Sequence, residues 1–247
     1  MIIFIRIAMI FSLSITSLTS QVNTEAMRDN TNIPGAHHNL RASCSYISAN
    51  SEILFINGNY RLDYNSMSQW KYFFIAKYNH AFEKSKDPFS NKGFGHVRGI
   101  YQLHPKLEIE SFVQKEFNYF INLEDRELIG GGIRSNPFKK LFIGIGAMYE
   151  KEIYQNIDDT KDFIKSTNYI NYKAQPADRI SINNVLYYQF KIENIEHFRI
   201  LWDGNIQVEG TEWLSFYINF KYRYDVSNIN PNGNSYFELT NGIGIHF

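Results

Sequence analysis

Little in this chain could staple it covalently, hold nucleic acid or carry it across a bilayer as a helix. Cys44 is the one cysteine, so no disulfide can form within the chain. It lies far beyond the N-terminal apolar run, which also excludes a lipoprotein cysteine, and it reads as a small strand residue. Lys plus Arg is 25 and Asp plus Glu is 25. With no basic excess there is no electrostatic footprint for DNA or RNA, and nucleic acid is not expected as a partner. Past residue 19 no stretch approaches the roughly 20 consecutive apolar residues that a membrane helix needs. The Gly-x-Ser-x-Gly elbow of many serine hydrolases is missing as well.

What the chain does have is aromatics, with 17 Tyr and 20 Phe against 3 Trp, set in runs whose dominant signal is alternation. A chain of this kind that enters a bilayer must do so as strands, the other way to satisfy every backbone group in lipid. The N-terminus reads as a secretory signal. Ile7 to Ile15 form an apolar core, and Ser17 and Thr19 are small residues flanking a cleavage point that leaves Ser20 near the mature start. Residues 1–19 are therefore expected to be a signal peptide, 20–39 a flexible segment, and 40–247 one domain.

Alternation with period two places successive residues on opposite faces of a strand. From Trp213 to Tyr224, Leu214, Phe216, Ile218 and Phe220 share one face, while Ser215, Asn219, Lys221 and Arg223 share the other. Runs of this type predict twelve strands: 40–49, 52–64, 69–82, 92–103, 107–120, 126–135, 141–152, 166–174, 179–190, 198–209, 213–224 and 235–247. The joins 104–106, 136–140, 175–178 and 210–212 are tight and contain Pro or Gly. They alternate with joins that are mostly longer, at 83–91, 121–125, 153–165, 191–197 and 225–234. Short turns on one side and long loops on the other are the habit of outer-membrane barrels. The expected fold is all-β, a single antiparallel up-and-down transmembrane barrel of about twelve strands, reached by export to the bacterial outer membrane.

The last strand ends Thr240, Gly242, Ile245, Phe247: a polar residue, a glycine, an apolar residue and a final aromatic. This is similar to the assembly signal of outer-membrane proteins and implies the barrel-assembly machinery as a partner. Deleting Phe247 is expected to leave the protein in the periplasm as aggregate or fragments, which fractionation checks. Normal outer-membrane levels would rule the signal out.

At residues 122–134 the chain reads Asn-Leu-Glu-Asp-Arg-Glu-Leu-Ile-Gly-Gly-Gly-Ile-Arg, with Leu123, Arg126, Gly130 and Gly132 in fixed spacing. This resembles the Leu-x-x-Arg-x-x-x-Gly-x-Gly stretch of the YdiY-like, salt-induced outer-membrane proteins, also called domain-of-unknown-function family 481. The strand at 141–152 and the aromatic-ended last strand are similar to that family too. One departure is that the Ser-Gly-Asn-Thr turn common near the family's start is matched only by Asn57-Gly58-Asn59. The resemblance implies a location and a fold, and it supplies no catalytic residues.

Candidate chemistry is thin. His37, His38, His96, His104, His197 and His246 lack the paired spacing of metal ligands, so neither a metal nor another cofactor is expected. Asp158, Asp159 and Asp162, with Lys161 and Lys165, fall in the longest expected loop, where a solvated surface or contact with lipopolysaccharide phosphates would suit them. An outer-membrane lipid hydrolase would need a base such as His80, with Glu52, Leu54 and residues 92–95 as its expected neighbours. No serine shares that face to serve as a nucleophile, and no enzyme activity is expected.

The inward face is then the candidate site. By parity it includes Arg61, Lys71, Glu108, Arg134, Arg199, Lys221, Arg223 and Glu238, a mixed-charge lining. Such side chains either plug a structural barrel or line a narrow pore, with a lipid hydrolase or a surface-binding barrel as rival functions. Gly130, Gly132, Gly144 and Gly146 also fall inward on neighbouring strands. They serve either tight curvature of the wall or the floor of a pore or ligand groove. The chain reads as a monomer embedded in outer-membrane lipid.

Overall fold

The computed structural model describes residues 24–25, 33–48, 52–83, 90–119, 122–155, 161–211, 213–226 and 235–245. Each of the twelve expected strands has a counterpart among the described residues. The elements in chain order are β1 (Gly35–Ser48), β2 (Glu52–Asn65), β3 (Trp70–Glu83), β4 (Ser90–His104), β5 (Leu107–Asn118), β6 (Leu123–Phe138), β7 (Leu141–Tyr154), β8 (Lys161–Ala177), β9 (Ile180–Lys191), β10 (Asn194–Glu209), β11 (Leu214–Asp225) and β12 (Ser235–Ile245). Each pairs antiparallel with the next, so the sheet order is the chain order from β1 to β12. Among the described residues β1 and β12 are the two edges and do not pair with each other.

Three boundaries differ from expectation for local reasons. β1 begins at Gly35 because residues 35–39 pair with the far end of β2, from Gly35 opposite Asn65 to Asn39 opposite Arg61. β8 begins at Lys161, so Asp162 is not a loop residue but stands opposite Lys151 of β7; Asp158 and Asp159 lie outside the described residues. The loop expected at 191–197 is a tight turn, since only Ile192 and Glu193 separate β9 from β10. The surplus residues are taken up by a register shift between Asn194 and Phe198, a bulge that twists the strand without lengthening the loop. Asn57-Gly58-Asn59 is mid-strand in β2 rather than a turn.

Burial is inverted relative to a water-soluble protein. Ile129, Ile133 and Ile145 are 58%, 53% and 65% exposed, while Arg126, Glu150 and Asn171 are 0% exposed. Charged side chains are almost never fully buried unless paired, so the polar face is the enclosed one. Side chains from distant strands meet there. Arg199 of β10 donates to Glu150 of β7 at 3.2 Å, and the Tyr169 hydroxyl of β8 donates to Glu110 of β5 at 3.4 Å. Lys77 of β3 is within electrostatic reach of Lys221 of β11. The sheet therefore curls around its polar side and turns its apolar side outward.

Candidate functional site in the charged interior

Three groups of polar side chains divide the concave face. The first lies toward the end of the sheet that carries joins 84–89, 119–122 and 155–160. Its centre is Arg126 of β6, whose guanidinium donates to Glu116 of β5 and, through Nε at 2.8 Å, to Glu152 of β7, and pairs with Glu150 at 3.1 Å. Arg199 joins Glu150 to Asp225 of β11, donating to the latter at 2.6 Å. Lys165 of β8 closes on Glu150 at 2.8 Å. Three cations thus face four carboxylates, and the network ties β5 through β8 to β10 and β11.

The second group lies toward the tight-turn end. Arg98 of β4 donates to Glu110 at 2.7 Å, and Arg134 of β6 donates to Glu108 at 3.0 Å. Aromatic faces back both cations, Phe112 under Arg98 at 5.2 Å and Phe142 under Arg134 at 4.0 Å. Two residues that belong to no strand enter this group. Arg134 Nη2 and Asn171 Nδ2 each donate to Glu25 Oε1 at 3.0 Å, and Arg98 Nη2 donates to Thr24 Oγ1 at 2.7 Å. Thr24 and Glu25, which fall in the 20–39 segment expected to be flexible, are buried. Between the two groups is a cavity of about 40 Å³, bordered by Thr24, Gln114, Gly132, Gly146, Met148 and Thr167.

The third group lines the half of the interior formed by β2, β3, β4 and β10 to β12, where polar side chains are mostly half-buried. Arg61 pairs with Asp63, Arg223 with Asp203 at 2.6 Å, and Lys221 with Glu238 at 3.2 Å. Asparagines bridge neighbouring strands, Asn79 donating to Asn57 and Asn205 to Asn219, each at 2.6 Å. Lys92 of β4 lies within electrostatic reach of Lys221 and Glu238. Lys71 is half-buried opposite Asn65 and Ile100.

The expected interior residues thus fall into separate groups. Glu108, Arg134 and Arg199 join the packed networks, while Arg61, Lys221, Arg223 and Glu238 stay on the looser side. The sequence reading did not count Arg126, Glu150, Glu152 or Lys165 among the inward residues, taking Arg126 only as part of the family motif and Lys165 as a loop residue. The parity that turns Gly130 and Gly132 inward places Arg126 inward as well, so the signal for it was present. Glu25 had no such signal, because no periodicity surrounds it.

The glycines lie where neighbouring groups leave no room for a Cβ. Gly132 stands opposite Gly146 in the ladder, and a Cβ added to Gly132 would come within 2.8 Å of the Gly146 Cα. A Cβ on Gly144 would fall on the Tyr169 ring, and one on Gly130 would meet Met148 and Phe112 at 2.7 Å. Backbones approach where side chains are missing, as tight bending of the wall requires. At the C-terminus, Thr240 pairs with Asn219, Gly242 with Tyr217 and Ile245 with Leu214, and the Tyr217 ring covers Gly242. Phe247 lies outside the described residues.

The histidines are scattered. His96 is buried and hydrogen-bonds Gln114 at 3.2 Å, and His38 hydrogen-bonds Tyr60 at 2.9 Å. No group of three or more His, Cys, Asp or Glu among the described residues is placed to hold a metal. His80 stands opposite Ile56 and Asn91 in the ladders, not beside Glu52 or Leu54, with its ring between those of Tyr78 and Phe82.

A family model described as "Protein of unknown function, DUF481" matches residues 40–245. The chain belongs to this family. The match runs from within β1 to the end of β12, so the whole DUF481 region is this one sheet. No curated protein matches the chain. Among solved structures it is similar to the NanC porin, with a TM-score of 0.49 and 13% identity over 86% of this chain and 99% of that one.

Proposed function

We propose that this DUF481 chain is an outer-membrane barrel, closed by the approach of β12 to β1, that passes small anions through a narrow channel on its β2, β3 and β11 side. The observation that carries the channel is the convergence of Lys77, Lys92 and Lys221 with Glu238 in the half-buried part of the interior. Three cations and one carboxylate give that lining an excess of positive charge, whereas the opposite half holds the buried Arg126 and Arg199 network, in which carboxylates outnumber cations. Charge of one sign between low-dielectric walls concentrates the opposite ion.

The membrane location is supported by the outward face. Val97, Val113, Ile129, Ile145, Ile170 and Leu186 form an exposed apolar band. Toward the tight turns it is bordered by Trp70, Tyr72, Tyr101 and Tyr172, and toward the other rim by Tyr78, Tyr149, Tyr188 and Tyr224. Aromatic girdles around an apolar band are what a lipid-facing barrel wall needs. Outer-membrane lipid and lipopolysaccharide are the surroundings, and the barrel works as a monomer.

In planar bilayers under a potassium chloride gradient, the reversal potential is expected to show chloride preferred over potassium. Lys77→Glu combined with Lys92→Glu should reverse that preference without loss of folding. An absence of current from folded protein would favour the second reading, a structural barrel, which the packed Arg126 network supports. A hydrolytic role is not proposed, since His80 has aromatic neighbours and, among the described residues, the serine nearest in the ladder, Ser90, stands opposite Ala81 on the other face. Phospholipid turnover by the purified barrel would overturn that part.

A further inference from the structure

Each of the other buried arginines finds a carboxylate on the wall itself. Arg126 meets Glu116, Glu150 and Glu152, Arg199 meets Glu150 and Asp225, and Arg223 meets Asp203. Arg134 and Asn171 differ in that both also donate to a carboxylate brought from outside the sheet, 109 and 146 residues away in sequence. That carboxylate, Glu25, is wholly enclosed. The neighbouring side chain is gripped as well: Arg98 Nη2 donates to the Thr24 hydroxyl at 2.7 Å, and Tyr187 hydrogen-bonds the same hydroxyl.

We infer that Arg98, Arg134 and Asn171 form a binding site for a small carboxylate-bearing solute, and that Glu25 is its tethered resident occupant. Two features of the chemistry support this. First, the wall groups are already balanced without the occupant, since Arg98 and Arg134 stand against Glu108 and Glu110. Glu25 adds a third carboxylate, so it is held by directed hydrogen bonds and by tethering rather than by net charge, and such an occupant is exchangeable. Second, donors from β6 and β8 converge on one oxygen, Glu25 Oε1, while Arg98 of β4 holds the Thr24 hydroxyl and stands 3.9 Å from Glu25 Oε2. The wall therefore fixes the cradle whether or not Glu25 is in it. The 40 Å³ cavity touching Thr24 gives a free solute room beyond the reach of the two native side chains.

The inference goes beyond the proposed anion channel, because the site lies on β4, β6 and β8 and not on the channel's β2, β3 and β11 side. Binding is therefore measured apart from conduction. Full-length protein and its Glu25→Gln variant, both folded in detergent and checked by heat-modifiable migration, are titrated with N-acetyl-threonyl-glutamate, with N-acetyl-threonyl-glutamine as the control. Thermal unfolding is the readout. The variant is expected to be stabilised by the glutamate peptide at concentrations about tenfold or more below those needed by the parent, because a hydrogen bond to a charged group is roughly ten- to a hundredfold in affinity. The glutamine peptide should have little effect on either. Adding Asn171→Leu to the variant should abolish the response, and Arg134→Lys should weaken it. Equal responses from parent and variant, or from both peptides, would overturn the inference. A protein that carries no current yet binds in this pattern would refute the channel and leave the carboxylate site standing.

Discussion

Arg126→Leu is expected to lower the unfolding free energy by about 3 to 5 kcal/mol, the usual cost of removing one partner from a buried ion network. The guanidinium is wholly buried and meets Glu116, Glu150 and Glu152 from three directions. Without it the cluster holds two cations, Arg199 and Lys165, against four carboxylates that are largely buried from solvent. Arg126→Lys keeps the charge but not the fork that serves Glu116 and Glu152 together, so it should lose part of the stability and not the whole. Neutralising two of the stranded acids in the leucine background, through Glu116→Gln and Glu152→Gln, should restore much of what was lost. Urea unfolding in lipid vesicles, followed by heat-modifiable migration, measures each step. A leucine variant as stable as the parent would mean that the network is not desolvated, and that the interior admits water where it now looks packed.

The fold was legible because one rule, alternation, operates almost unbroken. Leu214 to Asp225 is a strand with Phe216 and Ile218 outward and Ser215, Arg223 and Asp225 buried, as parity alone required. Parity fixes faces but not ends. β8 was read short because the charged Lys161, Asp162 and Lys165 suggested a loop, yet Lys165 points inward to Glu150 and pairs there. The join between β9 and β10 was read long because His197 and its neighbours break the pattern, when the chain absorbs them as a bulge.

The site was legible as a composition and not as a grouping. Charge signs along each strand can be counted from sequence, but which cation meets which carboxylate depends on curvature that brings β7 to β10 and β5 to β8. Arg199 is the instructive case. Its ladder neighbours are Gln189 and Asp225, and its bond to Glu150 reaches across two intervening strands. Glu25 marks the far limit of sequence reading. An isolated acid in a segment with no periodicity says nothing of itself, and only the donors converging on it give it a place.

Ile218→Arg should cost roughly 2 to 4 kcal/mol, the penalty for a charge on the lipid face at mid-strand, while Asn219→Arg one residue away should cost far less. Ile218 stands in register with Ile206 of β10 and Asn241 of β12 and is 46% exposed on the outward face. Asn219 points the other way and accepts a hydrogen bond from Asn205 at 2.6 Å. Its loss costs about 1 kcal/mol, and an arginine there can extend into the half-buried polar lining. The pair separates lipid from water as the medium outside the wall. If the outward face met water, an arginine at an exposed isoleucine would be nearly neutral, within about 0.5 kcal/mol, and the inward substitution would be the damaging one. If the outward face meets lipid, the order inverts. Folding yield into vesicles and the fraction of heat-modifiable protein in outer-membrane preparations report that order directly. Equal tolerance at both positions would remove the assignment of an outward lipid face, and with it the membrane location that the anion channel requires.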